Sequence, residues 1–189
     1  MKSYQNVDTT LSKNEIKTIS KKIQINLQEQ FKTDFFKRIK SFTNNPERIF
    51  YADLKKEYKT ENYLDEPIPS AHKIMISKFR LGVHHLRINT GHYEKNGQCI
   101  AFSERKCIFC NNNAIENEQH FLLECPKFQN TRHIFISKMT NDQTSHFHTP
   151  SQNLTVTNIL NLSSETCNPK LVGSFLHQMS KERNRFINS

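Results

Sequence analysis

Four residues in the middle of the chain have the types and the spacing of a metal site: Cys107-x2-Cys110-x9-His120-x4-Cys125. Thiolate sulfur and imidazole nitrogen suit tetrahedral zinc, with Zn–S bonds of about 2.3 Å, so two thiolates on one ion stand roughly 3.8 Å apart. A CxxC turn holds two sulfurs that close without strain. The intervening residues 111–119, NNNAIENEQ, open polar, as a returning loop should. Glu118 then starts a short helix with Phe121, Leu122 and Leu123 on its apolar side. His120 and Cys125 are five residues apart, which on an α-helix turns about 500°, or about 140° net, so they would not share a face. The chain is therefore expected to leave the helix before Cys125. Pro126 supplies the cause, because proline disfavours the α conformation in the residue before it.

A full set of four protein ligands, three of them thiolates, points to a structural zinc. A catalytic zinc usually keeps three protein ligands and an open position for water. The competing chemistries fit less well. A redox CxxC needs a βαβ setting, and no strand pattern surrounds Cys107. Five cysteines and a start, MKSYQNVDTTLSKNE, without an apolar secretory core argue for reduced thiols in an intracellular, nuclear or cytoplasmic protein, so a disulfide is disfavoured. Cys99 is a spare ligand ranked below the four. Cys167 reads as a lone thiol. His146-x-His148 reads as part of a solvated loop, and His84 as a packed or hydrogen-bonded histidine.

The elements that must position these residues are mostly helices. Ser12-Lys13-Asn14-Glu15 reads as a capping box, and Ile16, Ile19, Ile23, Leu27, Phe31, Phe35 and Ile39 continue it as one stripe to about Ser41. Asn45-Pro46-Glu47 signals a second helix, with Ile49, Phe50, Leu54 and Tyr58 on its apolar face. Ser70 is a candidate cap for a third, with Ile74, Ile76 and Phe79 inward, ending near Leu81. Beyond Pro126 a helix runs to about Met139 with Phe128, Ile134 and Phe135 inward. Val156, Ile159 and Leu160 suggest a short helix. Asn168-Pro169 opens a last one with Leu171, Val172, Phe175, Leu176 and Met179 as its stripe. The fold class is thus mainly α: a helical module with one small zinc-knuckle-like Cys3His site between short helices, and at most a small hairpin at the CxxC. Three segments follow: a basic helical one (1–44), a helical and zinc-binding module (45–139), and a polar loop with the last helix (140–189).

Composition narrows the function. Mean hydropathy is −0.73, and the aromatic core must rest on 14 Phe, as there is no Trp. No apolar run is long enough to span a membrane. Net charge is +9, and residues 1–106 hold 20 Lys and Arg against 12 Asp and Glu. Residues 107–189 hold 7 against 6. A basic segment beside a zinc site points to RNA or DNA as partner. Candidate phosphate contacts are Arg80, Arg87, Arg105, Lys106, Lys127 and Arg132, with the lysines of residues 13–40 as further ones. The cations nearest the cluster have a second possible role. Three thiolates, one neutral histidine and a dication sum to −1, which they would offset.

The segment CIFC…IENEQHFLLECPKF resembles the zinc-binding region that follows the reverse transcriptase domain of non-LTR (LINE-like) retrotransposons. Members typically read C-P-x-C, an acidic stretch, H-F-L-L-x-C-P and an aromatic. Upstream, KFRLGVHHLRINTGHY (78–93) and NPERIFYADLKKEYKTENYL (45–64) are similar to the family's preceding blocks, so residues 45–139 match in order. The family's first proline is Ile108 here, and its Glu and Arg in the I-E-x-G-R run are Asn89 and His92. The resemblance implies a nucleic-acid-binding accessory region and carries the ligands over as Cys107, Cys110, His120 and Cys125. It does not imply an enzyme. Tyr51-Ala52-Asp53-Leu54 lacks the second aspartate that two-metal chemistry needs. The carboxylates after Cys125, namely Asp142, Glu165 and Glu182, form no nuclease set. An alternative is a protein-interaction or scaffold module that self-associates through residues 12–41.

Overall fold

A computed structural model describes residues 12–41, 51–91, 97–141, 154–162 and 168–188. The chain divides into two compact units, Met1–Phe42 and Thr43–Ser189. The expectations for Asn45-Pro46-Glu47, His92, His146, His148, Asp142, Glu165 and Cys167 lie outside the described residues.

Among its described residues the first unit holds one helix, α1 (Lys13–Lys40). Its N-terminus is the expected capping box: the Glu15 N–H donates to Ser12 Oγ at 3.3 Å, and the Ser12 N–H donates to Glu15 Oε2 at 2.8 Å. None of its residues is buried, and Ile16, Ile19, Ile23, Ile25, Leu27 and Phe31 stand exposed.

The second unit is built from α2 (Tyr51–Leu54), α3 (Ser70–Arg80), α4 (Arg87–Thr90), α5 (Gln129–Asn141), α6 (Val156–Leu160) and α7 (Pro169–Ile187). Short 3-10 turns lie at Asn62–Leu64, Phe102–Glu104 and Pro126–Phe128. Among the described residues there is no strand; an isolated antiparallel bridge joins Lys106 and Ile115. The frame is α7, which packs along α3 on one side and α5 on another. Its start is the expected cap, with Asn168 Oδ1 accepting the Lys170 N–H and Pro169 opening the helix. Val172, Phe175, Leu176 and Met179 are buried along its inner face. The Phe135 and Phe175 rings stack at 4.0 Å and join α5 to α7. Gly173 lets α3 come close, since a Cβ there would stand 2.7 Å from His72 Cβ.

Several inward assignments change. Ile74 is exposed while Ile76 and Phe79 are buried. Residues two positions apart on a helix are rotated by about 200°, so Ile74 and Ile76 cannot share a face. Ile134 is exposed too, because α5 and the turn before it bury the row Phe128, Arg132, Phe135 and Met139. Ser70 is not the cap of α3; Pro69 holds that position, and no side chain caps the helix. Tyr58 is exposed, beyond the end of α2 at Leu54.

The helices also bury charge. Arg80 is 1% exposed. It pairs with Glu61 at 3.0 Å, donates to the Leu160 carbonyl, and stands near the rings of Tyr51 and Tyr63. Glu61 also takes Lys55 at 2.9 Å and the Tyr51 hydroxyl at 2.8 Å. This cluster ties α2, α3 and α6 together. Burial pushes the Glu61 carboxyl up, but the bonds from Lys55 and Tyr51 and the charges of Arg80 and Lys55 outweigh it, and the group sits below its ordinary value.

Candidate metal centre

The CxxC lies at the tip of a small hairpin. The Cys107 N–H donates to the Ala114 carbonyl at 2.8 Å, and the Glu116 N–H to the Arg105 carbonyl at 3.0 Å. The returning loop turns through Asn113, whose φ of +52° suits asparagine better than most residues. Asn117 then caps the next helical segment, with Oδ1 accepting the His120 N–H at 2.8 Å and its carbonyl accepting the Phe121 N–H at 3.0 Å.

That segment, His120–Glu124, is a π-helix, and the Cys125 N–H donates to the His120 carbonyl at 2.6 Å. The helix ends before Cys125, as expected, but its last turn is π rather than α. With i→i+5 bonding, residues five apart sit one above the other, as residues four apart do in an α-helix. Cys125 itself is extended (φ −59°, ψ 121°), as the residue before a proline prefers. The π turn and the proline together therefore bring Cys125 back beside His120.

The four ligand atoms lie within 4.8 Å of one another. Cys107 Sγ stands 3.9 Å from Cys125 Sγ, and Cys110 Sγ 3.3 Å from His120 Nε2. A tetrahedral ion with Zn–S bonds of about 2.3 Å needs sulfurs roughly 3.8 Å apart, so the spacing fits. His120 turns Nδ1 towards Glu124 at 3.8 Å, which leaves Nε2 for the cluster. The Phe109 N–H points at Cys107 Sγ at 3.5 Å, and the Lys127 N–H donates to the Cys125 sulfur in the same i to i+2 relation. Such donors stabilise thiolate charge. The contact with Cys125 draws the Cys107 thiol well below its ordinary value, against its burial, while that contact and burial push Cys125 up. Two sulfurs this close compete for one proton, and a cation between them lets both be thiolates. These residues could hold a metal ion. Cys99 is exposed and outside the cluster.

The candidate phosphate contacts divide. Arg80, Arg105 and Arg132 are buried with protein partners. Arg105 donates to the carbonyls of Ile88 at 2.7 Å and Ile100 at 3.3 Å. Arg132 donates to those of Leu122 at 2.9 Å and Cys125 at 2.8 Å, capping the π turn beside the sulfurs. Burial holds the Arg132 guanidinium below its ordinary value, against the attraction of Cys125 and Glu124. Arg87 and Lys106 are half-buried. Lys127 is exposed, with its ammonium 4.0 Å from the centre of the Phe186 ring.

The sequence reading missed the residues that brace the hairpin. Glu116, fully buried, accepts Arg183 Nε at 2.7 Å and Nη2 at 3.1 Å, and also the Arg87 N–H at 3.1 Å. Glu118, equally buried, accepts His84 Nε2 at 2.7 Å. Asn89, which stands where the resemblance expects a glutamate, donates to the Gly82 carbonyl at 2.7 Å and contacts His84. A signal existed: Arg132 and Arg183 each fall in line with an apolar stripe, and a charge in a core row needs a buried partner. Phe109 meets Phe128 at 5.6 Å and Phe186 at 6.3 Å, and Phe128 meets Phe121 at 4.9 Å, so the CxxC loop sits on an aromatic floor. No family model matches the chain, and neither the curated proteins nor the solved structures show a match to it.

Proposed function

We propose that this chain is a non-catalytic, zinc-clipped helical module that binds nucleic acid, of the lineage of the zinc-binding region of non-LTR retrotransposon reverse transcriptases. The observation that carries the reading is the convergence of Cys107, Cys110, His120 and Cys125 within 4.8 Å of one another. Three sulfurs and one imidazole nitrogen favour zinc and complete its tetrahedral shell. No position is left for a reacting water, so the ion's work is to hold the CxxC hairpin against the π turn. Bound zinc would carry −1 with this ligand set, and the Arg132 guanidinium beside Cys125 offsets it. Nucleic-acid binding rests on the net charge of +9 and on the resemblance. Metal analysis of the native protein tests the first part: one zinc per chain, lost in Cys110→Ser, is expected. Titration with RNA and DNA oligonucleotides at rising salt tests the second. A contact to phosphates weakens steeply with salt, and a flat response would remove that half of the reading.

A second reading is favoured by α1, whose Ile16, Ile19, Ile23, Leu27 and Phe31 are exposed on a helix with no buried residue. On that reading α1 is a seam for protein association. Mass that rises with concentration, with no shift by nucleic acid, would support it over the first.

A further inference from the structure

The polar side of α7 carries a feature that the charge count conceals. Residues 107–189 hold nearly balanced charge, 7 basic against 6 acidic. Balance in sequence is not balance at the surface. Glu116 is consumed by Arg183 in the interior, and Glu118 is buried against His84. Glu182, the acidic residue of α7, accepts the Thr131 hydroxyl of α5. What α7 presents outward is therefore cationic.

An open groove of about 650 Å³ runs along that side, lined by Met75 of α3 and by His177, Ser180, Lys181, Asn184, Arg185 and Asn188. Among the described residues no carboxylate lines it. His177, Lys181 and Arg185 recur every four residues, and so do Ser180, Asn184 and Asn188. The two rows lie side by side, one of cations and imidazole, the other of hydroxyl and amide donors. Over eight residues each row spans about 12 Å of helix. A nucleic-acid strand that rises about 3.4 Å per nucleotide passes three or four phosphates in that length. Lys181 and Arg185 are exposed, and neither has an ion partner among the described residues. Beside His177 stands His72 of α3, with the two ring centres 5.4 Å apart.

We propose that this α7 groove is the seat of the phosphate backbone of a bound nucleic acid. The inference rests on the nucleic-acid reading above and gives it a surface. Cations and neutral donors without a carboxylate suit phosphate oxygens, and such contacts position a strand without reading its sequence. An acidic protein segment would be drawn by the same cations, but it would not need the row of neutral donors.

The test uses the full zinc-loaded chain, with Lys181→Ala/Arg185→Ala as the variant and Lys56→Ala/Lys170→Ala as a control of equal charge loss at exposed positions. Binding of a 20-nucleotide single-stranded RNA and a 20-base-pair DNA is followed by fluorescence anisotropy from 50 to 200 mM salt. The groove variant is expected to lose about tenfold or more in affinity at the upper salt. Its slope of log affinity against log salt should flatten by about 1.8 on duplex or about 1.4 on the single strand, as for two lost phosphate contacts. The control should lose markedly less. Unchanged slope and affinity in the groove variant, with the wild type binding, overturns the groove and leaves the nucleic-acid reading standing. Equal losses in variant and control also overturn it, since total charge would then explain the binding. Failure of the wild type to bind either probe overturns both.

Discussion

Arg183 and Glu116 show how much a single charge depends on its partner here. The guanidinium grips both carboxylate oxygens, at 2.7 and 3.1 Å, with Glu116 fully buried. Removing one member of such a pair strands the other without water, at about 3–5 kcal/mol, whereas replacing both with apolar groups is often nearly neutral. Arg183→Met is therefore expected to lower urea stability by about that amount, with much of the loss restored in Arg183→Met/Glu116→Leu. A double variant no better than the single one would remove the argument. Glu61 gives a pH dependence. Its carboxyl is lower in the folded chain than in the unfolded one, so the unfolded state binds the proton more readily. The stabilisation it supplies is complete above its unfolded pKa, about 4.3 for a glutamate, and is lost as pH falls through the lower folded value. Glu61→Gln should be less stable at neutral pH, with a shallower loss of stability in acid, as measured by thermal melts between pH 7 and pH 3.

At the scale of the element, α3 and α7 approach closely at Gly173. A methyl group at position 173 would meet His72 Cβ at 2.7 Å and Ile76 Cδ1 at 3.3 Å. Helix propensity alone favours alanine over glycine by about 1 kcal/mol. Overpacking costs about 1–3 kcal/mol, and backbone-anchored Cβ atoms cannot swing aside, so the clash should win. Gly173→Ala is expected to lower the melting temperature by several degrees; a rise would mean that the two helices separate freely. The π turn is a second such element. Its extra residue places Cys125 over His120, and Arg132 holds its last carbonyls. Arg132→Met leaves those carbonyls without their donor, and metal affinity should fall even though no ligand is changed.

For the whole molecule, the metal is expected to act as a fold constraint. Structural zinc contributes about 10–16 kcal/mol of apparent binding energy in small modules, against a total domain stability of about 5–15 kcal/mol. Chelation, or Cys125→Ser, should therefore abolish the cooperative melt of the unit Thr43–Ser189, read by circular dichroism. Unchanged melting would refute a structural role. Among the described residues no helix is long and apolar enough to cross a membrane. The unit Met1–Phe42 contributes one long, capped helix whose apolar residues are exposed, so deleting it should leave the melt of the second unit in place.

What the sequence determined by itself was local. The ligand types and spacing from Cys107 to Cys125, the boxes and caps at Ser12 and Asn168, and the stripe from Val172 to Met179 follow from short-range geometry and hydrogen bonding. Periodicity carries that information because the partners lie within a turn or two. The tertiary structure alone decided what the basic residues do. Arg80 meets Leu160, 80 residues away, and Arg183 meets Glu116, 67 residues away. No local pattern encodes such pairs, because they form only when the core brings distant helices together and excludes water. A count of charges along the chain places the excess in the first half, whereas folding withdraws Arg80 and Arg105 of that half, and Arg132 beyond it, into the interior and leaves the α1 lysines and Lys181 and Arg185 of α7 exposed.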